Sequence, residues 1–169
     1  GSTGGCLVIG GVTGMTVGGT GARDGNTFDR CTRGISVEGG SNITFYGNTF
    51  GATAANTTGG LSGGSCSNLT IGGSGAGQKN VFYNNESQIR LGSCSNVTIK
   101  GNYIGLDLDG STDRGGAGIG ILFEGTNSGI TIGGTAAGER NYISGNNSDG
   151  IQLSTATTAT IKGNYIGTN

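Results

Sequence analysis

Apolar residues in this chain fall into very short runs that alternate with polar ones, separated by Gly, Asn, Ser and Thr. In the last third the runs are Ile119-Gly120-Ile121, Ile130-Thr131-Ile132, Tyr142-Ile143, Ile151-Gln152-Leu153, Thr160-Ile161 and Tyr165-Ile166. A period of two over so few residues predicts short strands joined by turns. No window carries a helical period. With 40 Gly in 169 residues, the entropic cost of a helix would accumulate at nearly every turn.

The runs recur. Thr16-Val17-Gly18-Gly19 returns as Thr70-Ile71-Gly72-Gly73 and as Thr131-Ile132-Gly133-Gly134. The segment Val97-Thr98-Ile99-Lys100-Gly101-Asn102-Tyr103-Ile104-Gly105 returns almost unchanged from Ala159 to Gly167. An Asn followed two residues later by Phe or Ile occurs at Asn26, Asn48, Asn80, Asn102, Asn141 and Asn164, at spacings of 22, 32, 22, 39 and 23 residues. Internal repetition at this period predicts stacked copies of one unit.

The six runs of a repeat divide into two sets of three. The chain is therefore read as an all-β, parallel β-helix (β-solenoid) with three strands per coil, two coils per repeat and about six coils. It forms a single domain of three repeats, about 1–51, 52–105 and 106–169. Stacking at about 4.8 Å per coil predicts three columns. Val17, Phe45, Ile71, Ile99, Ile132 and Ile161 face inward, as apolar and mostly β-branched residues prefer. Thr16, Thr44, Thr70, Thr98, Thr131 and Thr160 form an outward ladder beside them. The six Asn form a structural ladder at the corner between the second and third strands, where Asn tolerates a left-handed backbone and its amide can bond neighbouring copies.

Composition narrows the partners. Charged residues make up 11%, the net charge is −1, and the chain has no His, Trp or Pro. So neutral a surface neither steers nucleic acid nor an anionic membrane. No apolar stretch reaches the length of a membrane span or a signal-peptide core. Residue 1 is not Met and falls in a turn, so the sequence reads as a processed product or an excerpt of a longer chain.

Cys66 and Cys94 stand in near-identical contexts, Ser65-Cys66-Ser67-Asn68 and Ser93-Cys94-Ser95-Asn96. The register makes them neighbours on successive coils, within the Cα range of a disulfide. A stacked pair of free thiols is the alternative. The remaining cysteines are Cys6 and Cys31, and no Cys-x-x-Cys points to zinc or redox chemistry. Asn-x-Ser/Thr sequons at Asn42, Asn56, Asn68, Asn85, Asn96 and Asn146 follow from Asn-rich turns before Thr-bearing strands.

A glycoside hydrolase needs two carboxylates about 5–9.5 Å apart. The ten acids are Asp24, Asp29, Glu38, Glu86, Asp107, Asp109, Asp113, Glu124, Glu139 and Asp149, and few share a column. Asp24 and Glu139 are equivalent turn residues four coils apart. The one dense cluster, Asp107, Asp109 and Asp113, suggests a calcium ion, since hard cations want several carboxylates around a Gly-assisted turn. It lacks the third loop acid and the distal Glu of an EF-hand. No triad can form without His. Lys100 and Lys162 are equivalent outward residues two coils apart; a lyase base can be a Lys or Arg, but no recognisable acidic metal site stands beside them. The chain is read as no enzyme, with no cofactor beyond that calcium candidate. Ice binding, suggested by the Thr ladder, is weakened by its Lys, Tyr and Asn flanks.

Gly133 to Asn146, Gly150-Ile151-Gln152-Leu153 and Gly163-Asn164-Tyr165-Ile166-Gly167 resemble the parallel β-helix repeats of large secreted bacterial surface proteins. Those are similar to the right-handed pectate-lyase-like β-helices. The resemblance implies a right-handed coil and an extracellular or cell-surface location. It also implies structural or adhesive roles, and the acidic and His-containing motifs of the pectin-degrading members are missing here.

Neither end carries an atypical capping element of the kind solitary repeat proteins use. Thr168-Asn169 read into Gly1-Ser2-Thr3 matches the internal turn Asp109 to Thr112. The leading expectation is a structural subunit or segment that stacks head-to-tail on other copies of itself into a filament. The competing one is a carbohydrate-binding or carbohydrate-cleaving β-helix using aromatics such as Tyr46, Tyr83, Tyr103, Tyr142 and Tyr165.

Overall fold

In the computed structural model, residues 4–116, 118–155 and 158–167 are described, and the chain makes six rounds of three strands. The first coil is β1 (Gly5–Gly10), β2 (Thr13–Gly18) and β3 (Thr27–Phe28). The second is β4 (Arg33–Glu38), β5 (Ser41–Tyr46) and β6 (Thr49–Phe50), and the third β7 (Gly59–Gly64), β8 (Ser67–Ile71) and β9 (Val81–Phe82). Then come β10 (Ile89–Gly92), β11 (Ser95–Ile99) and β12 (Tyr103–Ile104), followed by β13 (Ile121–Glu124), β14 (Ser128–Gly133) and β15 (Tyr142–Ile143). The sixth coil is β16 (Ile151–Leu153), β17 (Ala159–Lys162) and β18 (Tyr165–Ile166). First, second and third strands each stack into a six-stranded sheet in coil order, and every pairing is parallel. Among the described residues there is no helix.

The predicted inward column is realised pair by pair: Val17 opposite Phe45, then Ile71, Ile99, Ile132 and Ile161. Its middle members are fully buried, while Ile161 on the last coil is 43% exposed. In the first sheet Leu7, Ile35, Leu61, Ile89, Ile121 and Ile151 stack the same way. In the third, Phe28, Phe50 and Phe82 stack ring on ring at 5.1 and 4.4 Å. Each fully buried side chain of this size contributes roughly 1.5–3 kcal/mol. The core is thus a linear file shared between coils, and no coil can bury its own face alone.

One strand differs from its predicted position. The run Ile119-Gly120-Ile121 marks the entry to β13 rather than its middle. A Cβ on Gly120 would lie 2.5 Å from the Gly150 carbonyl oxygen of the next coil, so this position of the run has no room for a side chain. Inward alternation starts at Ile121 and Phe123 instead.

The Asn corner also differs in one respect. None of the six ladder Asn has a positive φ; in the even coils the preceding residue does, with Gly47 at 69°, Gly101 at 73° and Gly163 at 70°. Backbone carbonyls of neighbouring coils occupy the space a Cβ would need there, so glycine takes the left-handed position. Asn does adopt left-handed geometry elsewhere, at Asn42, Asn68 and Asn96, just before the Thr ladder.

The two-coil period has a local cause. Odd coils insert a long turn between second and third strands, at 19–26, 72–80 and 134–141, where even coils need only a Gly-Asn corner. Each long turn is closed by a side-chain oxygen accepting a backbone N–H: Asp24 from Gly21 and Gln78 from Gly75, both at 2.8 Å, and Glu139 from Ala136 at 3.1 Å. Asp24 and Glu139 are turn closers.

Candidate functional site

The Asn ladder is continuous. In every step the Oδ1 of one rung accepts both the backbone N–H and the Nδ2 of the preceding rung, from Asn26→Asn48 through Asn141→Asn164, at 2.9–3.2 Å. Each Nδ2 from Asn48 onward also donates to a backbone carbonyl of the preceding coil, as Asn80 does to Phe45 at 2.8 Å. Asn48, Asn80, Asn102 and Asn141 are fully buried, so these bonds satisfy groups that water cannot reach.

A second amide ladder lies at the corner between the third strand and the next coil. Asn56 donates from its N–H and Nδ2 to Oδ1 of Asn85, at 3.3 and 2.9 Å, and accepts from the Cys31 N–H at 3.1 Å. In the sequence both Asn register only as sequons. Their complete burial closes those two sequons to modification of the folded chain. Asn42, Asn68 and Asn96 form a third, exposed file with Nδ2-to-Oδ1 bonds of 3.0 Å.

Cys66 and Cys94 form the expected disulfide across neighbouring coils, with Cα atoms 4.6 Å apart. Gly63 makes room for it, since a Cβ there would sit 3.3 Å from Cys66 Sγ and 2.7 Å from Leu91. Cys6 and Cys31 form a second disulfide that spacing does not reveal. The register of β1 on β4 shifts by 28 residues, as in Leu7 opposite Ile35, whereas this pair spans 25 across a corner. The six Thr share one register, half-buried in the middle coils and exposed at Thr16 and Thr160.

Two of the three candidate calcium ligands have carboxylates bonded within the protein. Asp107 Oδ2 accepts from Arg114 Nη1 at 2.8 Å, and Asp109 Oδ1 accepts the Ser111 and Thr112 N–H groups, both at 2.8 Å. The Thr112 hydroxyl, then those backbone donors, lower the Asp109 pKa to about 2. Arg114 holds the Asp107 carboxyl below its ordinary range. Asp113 pairs its backbone with Leu106. Among the described residues no three acidic, Cys or His side chains converge as a metal site would. Arg114 also lies 4.8 Å over the Tyr83 ring, and burial, then the Asp107 charge, raises the Tyr83 pKa.

Two surfaces gather chemistry that sequence columns did not display. On the outer face of the first sheet, Glu38, Gly64, Gly92 and Glu124 occupy one column. The two glycines leave a notch of about 320 Å³, flanked by Arg33, Ser36, Ser62 and Arg90. Arg90 bridges Glu124 through Nε at 2.8 Å and Nη2 at 3.2 Å. Ser36 Oγ donates to Glu38 at 3.2 Å, while the buried Ser62 Oγ has no protein partner among the described residues. Three coil steps set the Glu38 and Glu124 backbones roughly 14 Å apart.

On the third sheet, Tyr103, Tyr142 and Tyr165 occupy one outward column. Their rings meet edge-to-face at 5.4 and 5.1 Å. Lys79 Nζ lies 3.5 Å over Tyr103, and the Arg140 guanidinium 4.1 Å over Tyr165. The long turn at 134–141 overhangs this column and encloses a groove of about 360 Å³ between Lys79, Tyr103, Ala136, Arg140 and Tyr142.

Comparison with known proteins finds no family model, no curated protein and no solved structure that matches this chain. The fold, a parallel β-solenoid of about six turns, is defined by the register of its three sheets and by their columns.

Proposed function

We propose that this chain is a structural β-solenoid segment of an extracellular fibre, extended by stacking further copies head-to-tail. The observation that carries the reading is the direction of the Asn ladder. Every rung donates forward and accepts from behind, so the two ends are complementary: Asn164 offers its N–H forward, and Asn26 offers an Oδ1 that no donor faces among the described residues. The apolar columns behave alike, with Ile161 and Ile166 on the sixth coil 43% and 46% exposed. A contact between unlike ends that does not close on itself propagates as a filament.

Two disulfides within 169 residues fit an oxidising compartment. The resemblance to repeats of secreted bacterial surface proteins, themselves similar to pectate-lyase-like β-helices, points the same way. The expected junction of Thr168-Asn169 with Gly1-Ser2-Thr3 lies outside the described residues. No reaction is assigned to the chain.

Negative-stain electron microscopy of concentrated, oxidised protein tests the proposal. Unbranched filaments of solenoid width are expected, and Ile161→Glu with Ile166→Glu should abolish them while circular dichroism stays β-rich. Compact monomers at high concentration would refute it.

A further inference from the structure

Lys79 and Arg140 precede equivalent ladder residues, Asn80 and Asn141, two coils apart. Neither pairs with a carboxylate among the described residues. The nearby acid Glu139 is bonded instead to Lys100 at 3.0 Å. Each cation lies over the ring one coil further on, and Tyr142 between the two has no cation over its ring among the described residues. The face thus alternates charge and aromatic surface along the solenoid axis, with one cation per two coils, roughly 9.6 Å.

We infer that this face binds an extended polysaccharide bearing one carboxylate per disaccharide. Sugar rings present C–H faces that pack on tyrosine, and each Tyr offers a hydroxyl at its rim. A ring carboxylate lies near the sugar plane, leaving that face free to stack while it reaches a cation. One sugar of an extended chain advances about as far as one coil. A carboxylate on every second sugar therefore meets Lys79 and Arg140, and the uncharged sugar between them meets Tyr142. A chain charged at every sugar would set a carboxylate against Tyr142 with no cation opposite. Single-stranded nucleic acid is the competing polyanion, since it too combines stacking with charge. The chain's net charge of −1 provides little of the non-specific attraction it uses. The inference does not depend on filament formation.

Tyrosine fluorescence is a direct readout, because the chain has five Tyr and no Trp. The probes are a hyaluronan oligosaccharide (uronate alternating with a neutral sugar), an oligogalacturonate of equal length, a neutral chitooligosaccharide and oligothymidylate. Salt-sensitive binding of the hyaluronan probe is expected, roughly tenfold tighter than that of the other three. The double variant Lys79→Ala/Arg140→Ala should weaken it about tenfold, the loss of a charge-assisted contact. Both side chains are exposed, so their removal leaves the core intact, and an unchanged melting temperature verifies this. No binding, equal binding of oligogalacturonate, chitooligosaccharide or oligothymidylate, or a double variant that binds normally overturns the inference.

Discussion

Oδ1 of Asn80 accepts two hydrogen bonds from Asn48, one from its backbone N–H at 3.0 Å and one from its Nδ2 at 3.1 Å. Both residues are wholly buried. Asn80 Nδ2 also donates to Phe45 O at 2.8 Å and to Asn102 Oδ1 at 3.0 Å, so one carboxamide ties three coils together. Asn80→Ala leaves the buried Asn48 N–H without an acceptor, while Asn48 Nδ2 keeps Val17 O and the Phe45 carbonyl keeps the Gly72 N–H, both at 2.9 Å. It should cost about 1–3 kcal/mol, the penalty of one buried unsatisfied group. Asn26→Ala, on an exposed rung, should cost less. Urea unfolding of the two variants measures the difference, and equal losses would contradict a burial-dependent ladder.

Phe50 lies between Phe28 and Phe82, with rings at 5.1 and 4.4 Å. Phe50→Ala opens a void that neighbours in a fixed coil stack cannot fill. A loss of about 3–5 kcal/mol is expected, while Phe50→Leu should retain much of the stability. Thermal denaturation of both variants is the check.

The Cys66–Cys94 disulfide closes a separation of 28 residues, for which chain entropy predicts roughly 3–4 kcal/mol of stabilisation. Its cysteines are 3% and 1% exposed, whereas Cys6 is exposed on the first coil. Mild reductant should therefore open Cys6–Cys31 first. Timed alkylation with mass spectrometry reads the order, and simultaneous opening would count against it.

The 107–113 turn should respond to acid. Folding lowers the Asp109 pKa from 3.8 to about 2, so its contribution is complete above pH 3.8 and is lost as pH falls towards 2. Asp107 shifts in the same direction through Arg114. Hydrogen exchange at the Ser111 and Thr112 amides should quicken in that window, while the amides of β11 (Ser95–Ile99) stay protected. Asp109→Asn should remove most of the response.

The solenoid was legible because its columns repeat one chemistry. Thr16 to Thr160 and Val17 to Ile161 could be aligned by eye, since a parallel stack places equivalent residues directly over one another. The Asn ladder was legible for the same reason. The Glu38–Glu124 column was not, because Gly64 and Gly92 stand between its two acids and Gly10 begins it. Nor was the pairing of Lys79 with Tyr103, whose residues lie on different coils, and the Asn56–Asn85 ladder looked like a pair of sequons.

By itself, the sequence determined strand type, the three-strand coil and the inward and outward columns. Those properties follow from two-residue alternation and from a repeat that every coil obeys. Tertiary structure decided which residue takes the left-handed corner, how Cys6 meets Cys31, and which outward side chains share a groove. These depend on turn lengths and on what neighbouring coils leave room for. At the corner of Gly101, the carbonyls above and below chose glycine for the bend and left Asn102 free to build the ladder.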